Sequence, residues 1–192
     1  MTLYGSNISD EELMQKAING DKLAFGVIYD RWHLKMFNYF RKMLWRNTEL
    51  AEDFTQDLFI KIAEKPAAFN TNYSFSTWIF TLASNMCKNE YRKQSIRKHI
   101  DADTSGIAHT LTNEGEKNIE NKIDENDFMR KLDQILEQLS EEHRQVFILR
   151  YKEELSLKEI AEITQSNEGT VKSRLFYAMK KISEQAKKFA KI

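Results

Sequence analysis

Along most of the chain apolar residues recur at intervals of three and four, the period of α-helices with one buried face. The first such stretch opens at Ser9, which can cap a helix while Glu12, three positions on, returns the bond. Gly20 ends that stretch, and Asp21 can cap a second that turns Ala24, Ile28 and Trp32 inward. A third carries Met36, Phe37, Phe40 and Leu44. Thr48 opens a fourth, in which Leu50, Phe54, Leu58 and Ile62 step by four, and Pro66 lies just past its end. A polar loop, Phe69 to Ser74, precedes a fifth helix expected from about Thr77 to Lys98.

From about Ile100 to Asn118 the chain is polar and loses its periodicity, which reads as a linker. Helical spacing resumes near Ile119 with Phe128, Leu132, Ile135, Leu136 and Leu139. Ser140 can cap a further helix holding Val146, Phe147 and Leu149, and two shorter helices complete the chain. One proline and six glycines in 192 residues leave too few turn residues for a β-sandwich or barrel. The expected fold is all-α: two small helical domains joined by a flexible linker, the second containing a helix-turn-helix. The expected boundaries are 1–99, 100–118 and 119–192.

Charge changes this picture. The net charge is zero, but Asp101 to Asp127 holds eight acidic and two basic residues, so this segment carries −6 and the remainder +6. Basic residues gather at Lys88, Arg92, Lys93, Arg97 and Lys98, and again from Lys172 to Lys191. Two basic patches flanking an acidic segment suit a nucleic-acid partner.

Three stretches carry candidate function. In LSLKEIAEITQSNEGTVKSRLFYAMKKI, Ser156 and Glu159 form a capping box, Ile160, Ala161 and Ile163 face inward, and Thr164 to Ser166 make a tight turn. Asn167 can cap the helix that follows, which buries Val171 and Leu175. This is the pattern of a helix-turn-helix. Glu168, Thr170, Lys172, Ser173 and Arg174 fall on the accessible side, where they can meet base edges and phosphates in a major groove. In FNTNYSFSTWIFTLASNMCKNEYRKQSIRKH, Phe69, Tyr73 and Phe75 precede a helix bearing Asn85, Lys88, Asn89, Arg92 and Lys93. Rings beside cations suit unpaired DNA, whose bases stack and whose phosphates pair with Lys and Arg; core packing is the competing role for such aromatics. In AEDFTQDLFIKIAEK, Asp53, Gln56, Asp57 and Ile60 share a face beside the apolar stripe, and an acidic face with an exposed isoleucine can dock a basic partner.

Catalytic and metal chemistry find no constellation. His33, His99, His109 and His143 are scattered, and no glycine-rich phosphate loop or nucleophile elbow is present. The single Cys87 rules out an internal disulfide and reads as a small buried thiol. No enzyme activity and no cofactor are expected. The opening MTLYGSNISDEEL lacks a signal-peptide pattern and no stretch is long and apolar enough to span a bilayer, so a cytoplasmic protein without membrane insertion is expected.

These three stretches, in this order, resemble sigma factors of the extracytoplasmic-function class over nearly the whole chain outside the linker. AEDFTQDLFIKIAEK is similar to their polymerase-binding helix, FSTWIFTLASNMCKNEYRK to their promoter-melting helix, and RQVFILRYKEELSLKEIAEITQSNEGTVKSRLFYAMKKI to their C-terminal helix-turn-helix. The resemblance implies that Asp53, Gln56, Asp57 and Ile60 meet the clamp helices of the largest RNA polymerase subunit, with the second domain on the flap of the second-largest. It implies that the Phe69–Ser74 loop takes up a base flipped from the non-template strand of the −10 element, which Asn85, Lys88, Asn89, Arg92 and Lys93 follow. It implies that Asn167 to Arg174 read the −35 duplex, and that an anti-sigma protein is a possible partner. Gln165 stands where the family usually has glycine, so a left-handed turn there would carry strain of about 1 kcal/mol. Ser166 replaces an aliphatic residue, Ser140 a proline, and Tyr177 to Met179 a region that is often basic. The competing function is a stand-alone helix-turn-helix regulator with an N-terminal sensing domain; a helical scaffold that binds only protein is a third. The aromatic–basic stretch favours the first reading, because it makes sense only for opened DNA.

Overall fold

The computed structural model describes residues 4, 8–104 and 125–189, and among these all regular structure is helical. Helix α1 (Asp10–Ile18) starts at the expected capping box, with Ser9 and Glu12 bonded to each other's backbone N–H. Helix α2 (Lys22–Met43) is capped by Asp21, whose carboxylate accepts from the N–H of Leu23 and Ala24. The second and third expected stretches are therefore one helix of 22 residues, because nothing between Trp32 and Met36 breaks the chain and both bury the same stripe.

Trp45 and Arg46 adopt positive φ (51° and 57°) and turn the chain into α3 (Thr48–Glu64). Asn47, one position before the expected Thr48, is its cap. The buried stripe of α3 is Ala51, Thr55, Leu58, Phe59 and Ile62, while Leu50 and Phe54 lie at its half-buried edge. A single 3-10 turn, Pro66–Ala68, follows. Helix α4 (Phe75–Thr104) begins two residues earlier than expected and runs into the stretch read as a linker. The rest of that stretch, 105–118, lies outside the described residues, as does the resumption near Ile119; α5 is described from Glu125 to Glu137.

Helix α6 (Glu141–Tyr151) is capped by Ser140, so the family's proline is not needed there. Its residues Arg144 to Leu149 are all buried, so α6 is a central helix rather than an amphipathic surface one. Helix α7 (Leu157–Thr164) has the Ser156–Glu159 capping box and ends at Gln165, whose φ of 55° and ψ of 44° are the expected left-handed turn. The N–H of Ser166 then closes on the carbonyl of Ala161 at 3.0 Å. Asn167 accepts from the N–H of Thr170 at 2.7 Å and opens α8 (Glu168–Phe189).

One apolar core unites both halves: Ile28, Met36, Tyr39, Phe40 and Phe80 from the first, Val146, Ile148, Leu149, Ile160 and Val171 from the second. Cys87 is buried in it, and burial pushes its thiol well above the ordinary value, so it is inert at neutral pH. A smaller cluster of Leu136, Leu139, Phe147 and Ala178 joins α5, α6 and α8.

Candidate polymerase and nucleic-acid interfaces

On α3 the residues Asp53, Gln56, Asp57 and Ile60 are spaced i, i+3, i+4 and i+7 and all are exposed. They form one continuous strip on the side away from the buried stripe. Ile60 keeps 53% of its surface in water. An exposed aliphatic side chain beside two carboxylates is a surface that a partner with apolar and basic groups can use.

The loop before α4 is built from local side-chain bonds. Asn70 Oδ1 accepts from the N–H of Asn72 at 3.0 Å, and the Asn70 carbonyl from the N–H of Tyr73 at 3.0 Å. Ser74 Oγ accepts from the N–H of Thr77 at 3.4 Å and caps α4. This places Tyr73 outward with 68% of its surface exposed. Phe69 and Phe75 were expected beside it, but the structure buries both, at 3% and 0%. They stack edge-on against each other at 5.4 Å, and Phe75 also against Trp32 at 5.4 Å. The correction has a plain cause: the periods of α2 and α4 meet beneath the loop, and two rings there complete the core. Tyr73 alone of the three offers an open face.

On α4 the five polar candidates again share one stripe, at i, i+3, i+4, i+7 and i+8. Asn89, Arg92 and Lys93 are exposed, and Asn85 and Lys88 half-buried. Lys88 is covered by the second half of the molecule: its ammonium donates to the carbonyl of Thr164 at 3.3 Å, at the C-terminal end of α7. Burial, together with the nearby Arg174, lowers its pKa.

In the helix-turn-helix, Val171 and Leu175 are buried while Asn167, Glu168, Lys172 and Ser173 are exposed and Thr170 and Arg174 half-buried. The outward face of α8 therefore carries the residues expected for duplex contact. Arg174 is bonded to Glu142 on α6 at 2.8 Å. Beyond this face, Phe176, Tyr177 and Met179 are exposed.

Two buried polar residues of α6 escaped the sequence reading. Arg144 and Gln145 look like ordinary polar helix positions, yet both are buried. Arg144 Nε donates to Leu136 O at 3.0 Å; its Nη1 reaches Lys42 O and Met43 O, and its Nη2 Glu137 O and Leu139 O. The guanidinium thus serves the open C-terminal carbonyls of α2 and α5 together, where a cation is favoured. The Gln145 amide donates to Tyr39 Oη at 3.0 Å and Ser84 Oγ at 2.6 Å. The only hint in the sequence is the unbroken run Val146 to Leu149, which marks a helix buried on several sides.

Among the described residues no group of His, Cys, Asp and Glu could hold a metal ion, and no helix is long and apolar enough to cross a membrane. Residues 28–96 match the family model Sigma-70 region 2, and residues 129–182 match Sigma-70, region 4. The chain is 30% identical over 171 residues to the ECF RNA polymerase sigma factor SigW of Bacillus subtilis, covering 86% of this chain and 90% of that one. It is 28% identical over 184 residues to the ECF RNA polymerase sigma-E factor of Haemophilus influenzae, covering 93% and 95%. Among solved structures, CnrH in complex with the cytosolic domain of CnrY shares the fold, with a TM-score of 0.67, 20% identity and coverage of 93% of this chain and 97% of that one. The sigma factor RpoE of Bartonella quintana, solved with the anti-sigma factor NepR, shares it with a TM-score of 0.66 and 22% identity, covering 85% and 96%. With both regions matched in order on this helical frame, the chain belongs to the ECF RNA polymerase sigma factors, DNA-binding proteins of transcription initiation.

Proposed function

We propose that the three exposed strips divide the work of this sigma factor. Asp53, Gln56, Asp57 and Ile60 dock core polymerase through the clamp helices of its largest subunit, and the second half sits on the flap of the second-largest. Tyr73, Asn85, Lys88, Asn89, Arg92 and Lys93 hold the non-template strand of the −10 element. Asn167, Glu168, Thr170, Lys172, Ser173 and Arg174 read the −35 duplex. Residues 1–99 and 119–192 act as the two functional units, in the cytoplasm, where polymerase works.

The observation that carries this reading is Tyr73, an exposed ring in the loop that leads into α4. A duplex with stacked bases has no use for such a ring. A flipped base does: stacking is worth about 1–3 kcal/mol per base, against a few kcal/mol to unstack it, and the α4 cations hold the backbone. An anti-sigma protein would act by covering the same strips.

The test is transcription with purified core polymerase on genomic promoter fragments. Asn85→Ala with Lys88→Ala should slow promoter opening more than it weakens closed-complex binding. A pre-melted bubble should restore much of the activity. Opening of a linear promoter at the unchanged rate would make the stripe an ordinary solvated face.

A further inference from the structure

Helix α1 has no part in the assignments above, yet it bonds the Phe69–Ser74 loop at Thr71 and again at Phe75, the residue that follows the loop. Glu11 and Gln15 are one turn apart on α1. Glu11 Oε1 accepts from the backbone N–H of Phe75 at 2.8 Å, across 64 positions of sequence. Gln15 Oε1 accepts from the hydroxyl of Thr71 at 3.3 Å. The exposed Tyr73 lies between these two anchored positions.

The chemistry of the contact suits a brace. Phe75 is the first residue of α4, and its N–H is among the donors that a helix start leaves open. Ser74 serves the N–H of Thr77 and cannot also serve Phe75. A carboxylate from another helix satisfies that donor and is favoured by the positive end of the helix dipole. Helix α1 is itself held. Asp10 bonds Arg31 and the indole N–H of Trp32, both at 2.8 Å. Arg31 also donates to the carbonyl of Ile8 at 2.9 Å. Trp32 packs edge-on against Phe75. The loop is therefore tied through α1 to the long helix α2, and not only to its own neighbours.

We infer that Glu11 and Gln15 are positioning residues for base capture: they set where the loop presents Tyr73, and so which base the loop accepts. This rests on the reading of the loop given under Proposed function. Neither side chain touches DNA; each acts through a backbone or side-chain group of the loop.

The experiment uses holoenzyme reconstituted with full-length protein. Single-stranded oligonucleotides with fixed flanks and a short randomised core are bound, recovered and sequenced. Glu11→Ala should flatten the base preference at the captured position by about fivefold, the scale of one lost hydrogen bond. The salt dependence of binding should not change, because no phosphate contact is removed. Glu11→Gln should behave as the unmodified protein, since its amide oxygen still accepts from Phe75; it also keeps the test informative if the alanine variant is less stable. Gln15→Ala should flatten the preference in the same position by a smaller factor. A loss in Glu11→Gln equal to that in Glu11→Ala would overturn the inference, because charge and not the bond would be responsible. Tyr73→Ala separates the two readings. If it flattens the preference and Glu11→Ala does not, the loop captures a base without this brace. If neither variant changes the preference, the loop assignment itself is overturned, and the inference with it.

Discussion

The guanidinium of Arg144 donates to the carbonyl of Met43 at 3.3 Å, although 101 positions separate them. All five of its N–H donors end on carbonyl oxygens, two on α2 and three at the end of α5. Arg144→Ala should cost about 2–4 kcal/mol, because buried carbonyls lose a charged donor and find no replacement. Arg144→Lys should recover only part of this, since an ammonium has three donors and no planar fork. Urea denaturation measures both. Equal stability of all three proteins would mean that water serves these carbonyls as well as the guanidinium does.

If the α4 and α8 strips meet the −10 and −35 elements as proposed, the seam that Arg144 spans has to part on a promoter, because the two elements are separate stretches of one DNA. Here Lys88 of α4 touches the end of α7 at 3.3 Å. Energy transfer between dyes at the exposed Glu64 and Lys187 should fall when core polymerase is added. Undiminished transfer in a transcriptionally active holoenzyme would contradict this assignment of the two DNA faces.

Reversing charge at Asp53 and Asp57 together should weaken binding to core polymerase and leave the thermal melt unchanged. Both are exposed and neither belongs to the buried stripe of α3. Titration of labelled protein with core measures the first effect. Unchanged affinity in a protein with an unchanged melt removes the proposed interface.

Arg174 must leave Glu142 to reach a base or phosphate. The carboxylate of that pair is 66% exposed, so breaking it costs at most about 1 kcal/mol. Glu142→Gln should therefore tighten duplex binding by no more than about fivefold. Arg174→Ala should weaken it by about 1–3 kcal/mol and relax preference at one base if the contact is bidentate to guanine. If Arg174 meets phosphate alone, the loss should be uniform across sequences and the salt slope should fall by about one. Binding to single-base-variant duplexes at several salt concentrations distinguishes the two, and no change in either sinks the placement of α8 in the groove.

Glu153 gives a pH signature. Its carboxylate is buried 3.5 Å from the Lys35 ammonium, and Oε2 has no hydrogen bond. Burial raises its pKa, and Lys35 offsets this only in part. A carboxyl that is harder to ionise in the folded state favours folding when protonated, so its ionisation weakens the fold as pH rises through that value. Glu153→Gln should raise Tm at pH 8, and the gain should shrink as pH falls toward the carboxyl range. A gain that is constant with pH would show that the effect is not one of ionisation.

Much of this protein is decided by short-range chemistry and can be read from the chain. The capping boxes at Ser9 and Ser156, the caps at Asp21, Ser140 and Asn167, and the turn at Gln165 depend on residues three or four apart, and each stands where its spacing predicts. The exposed strips on α3 and α8 follow equally from helical period. What the tertiary structure alone decided depends on groups far apart in the chain. Phe69 and Phe75 are rings that either a base or a core could use, and only the meeting of α2 with α4 assigned them to the core. Arg144 and Gln145 carry no local sign of burial, because the partners that satisfy them lie mostly on other helices, some of them about a hundred positions away. Glu11 looks like any first-turn acid until α4 begins beside it and leaves one N–H to be filled.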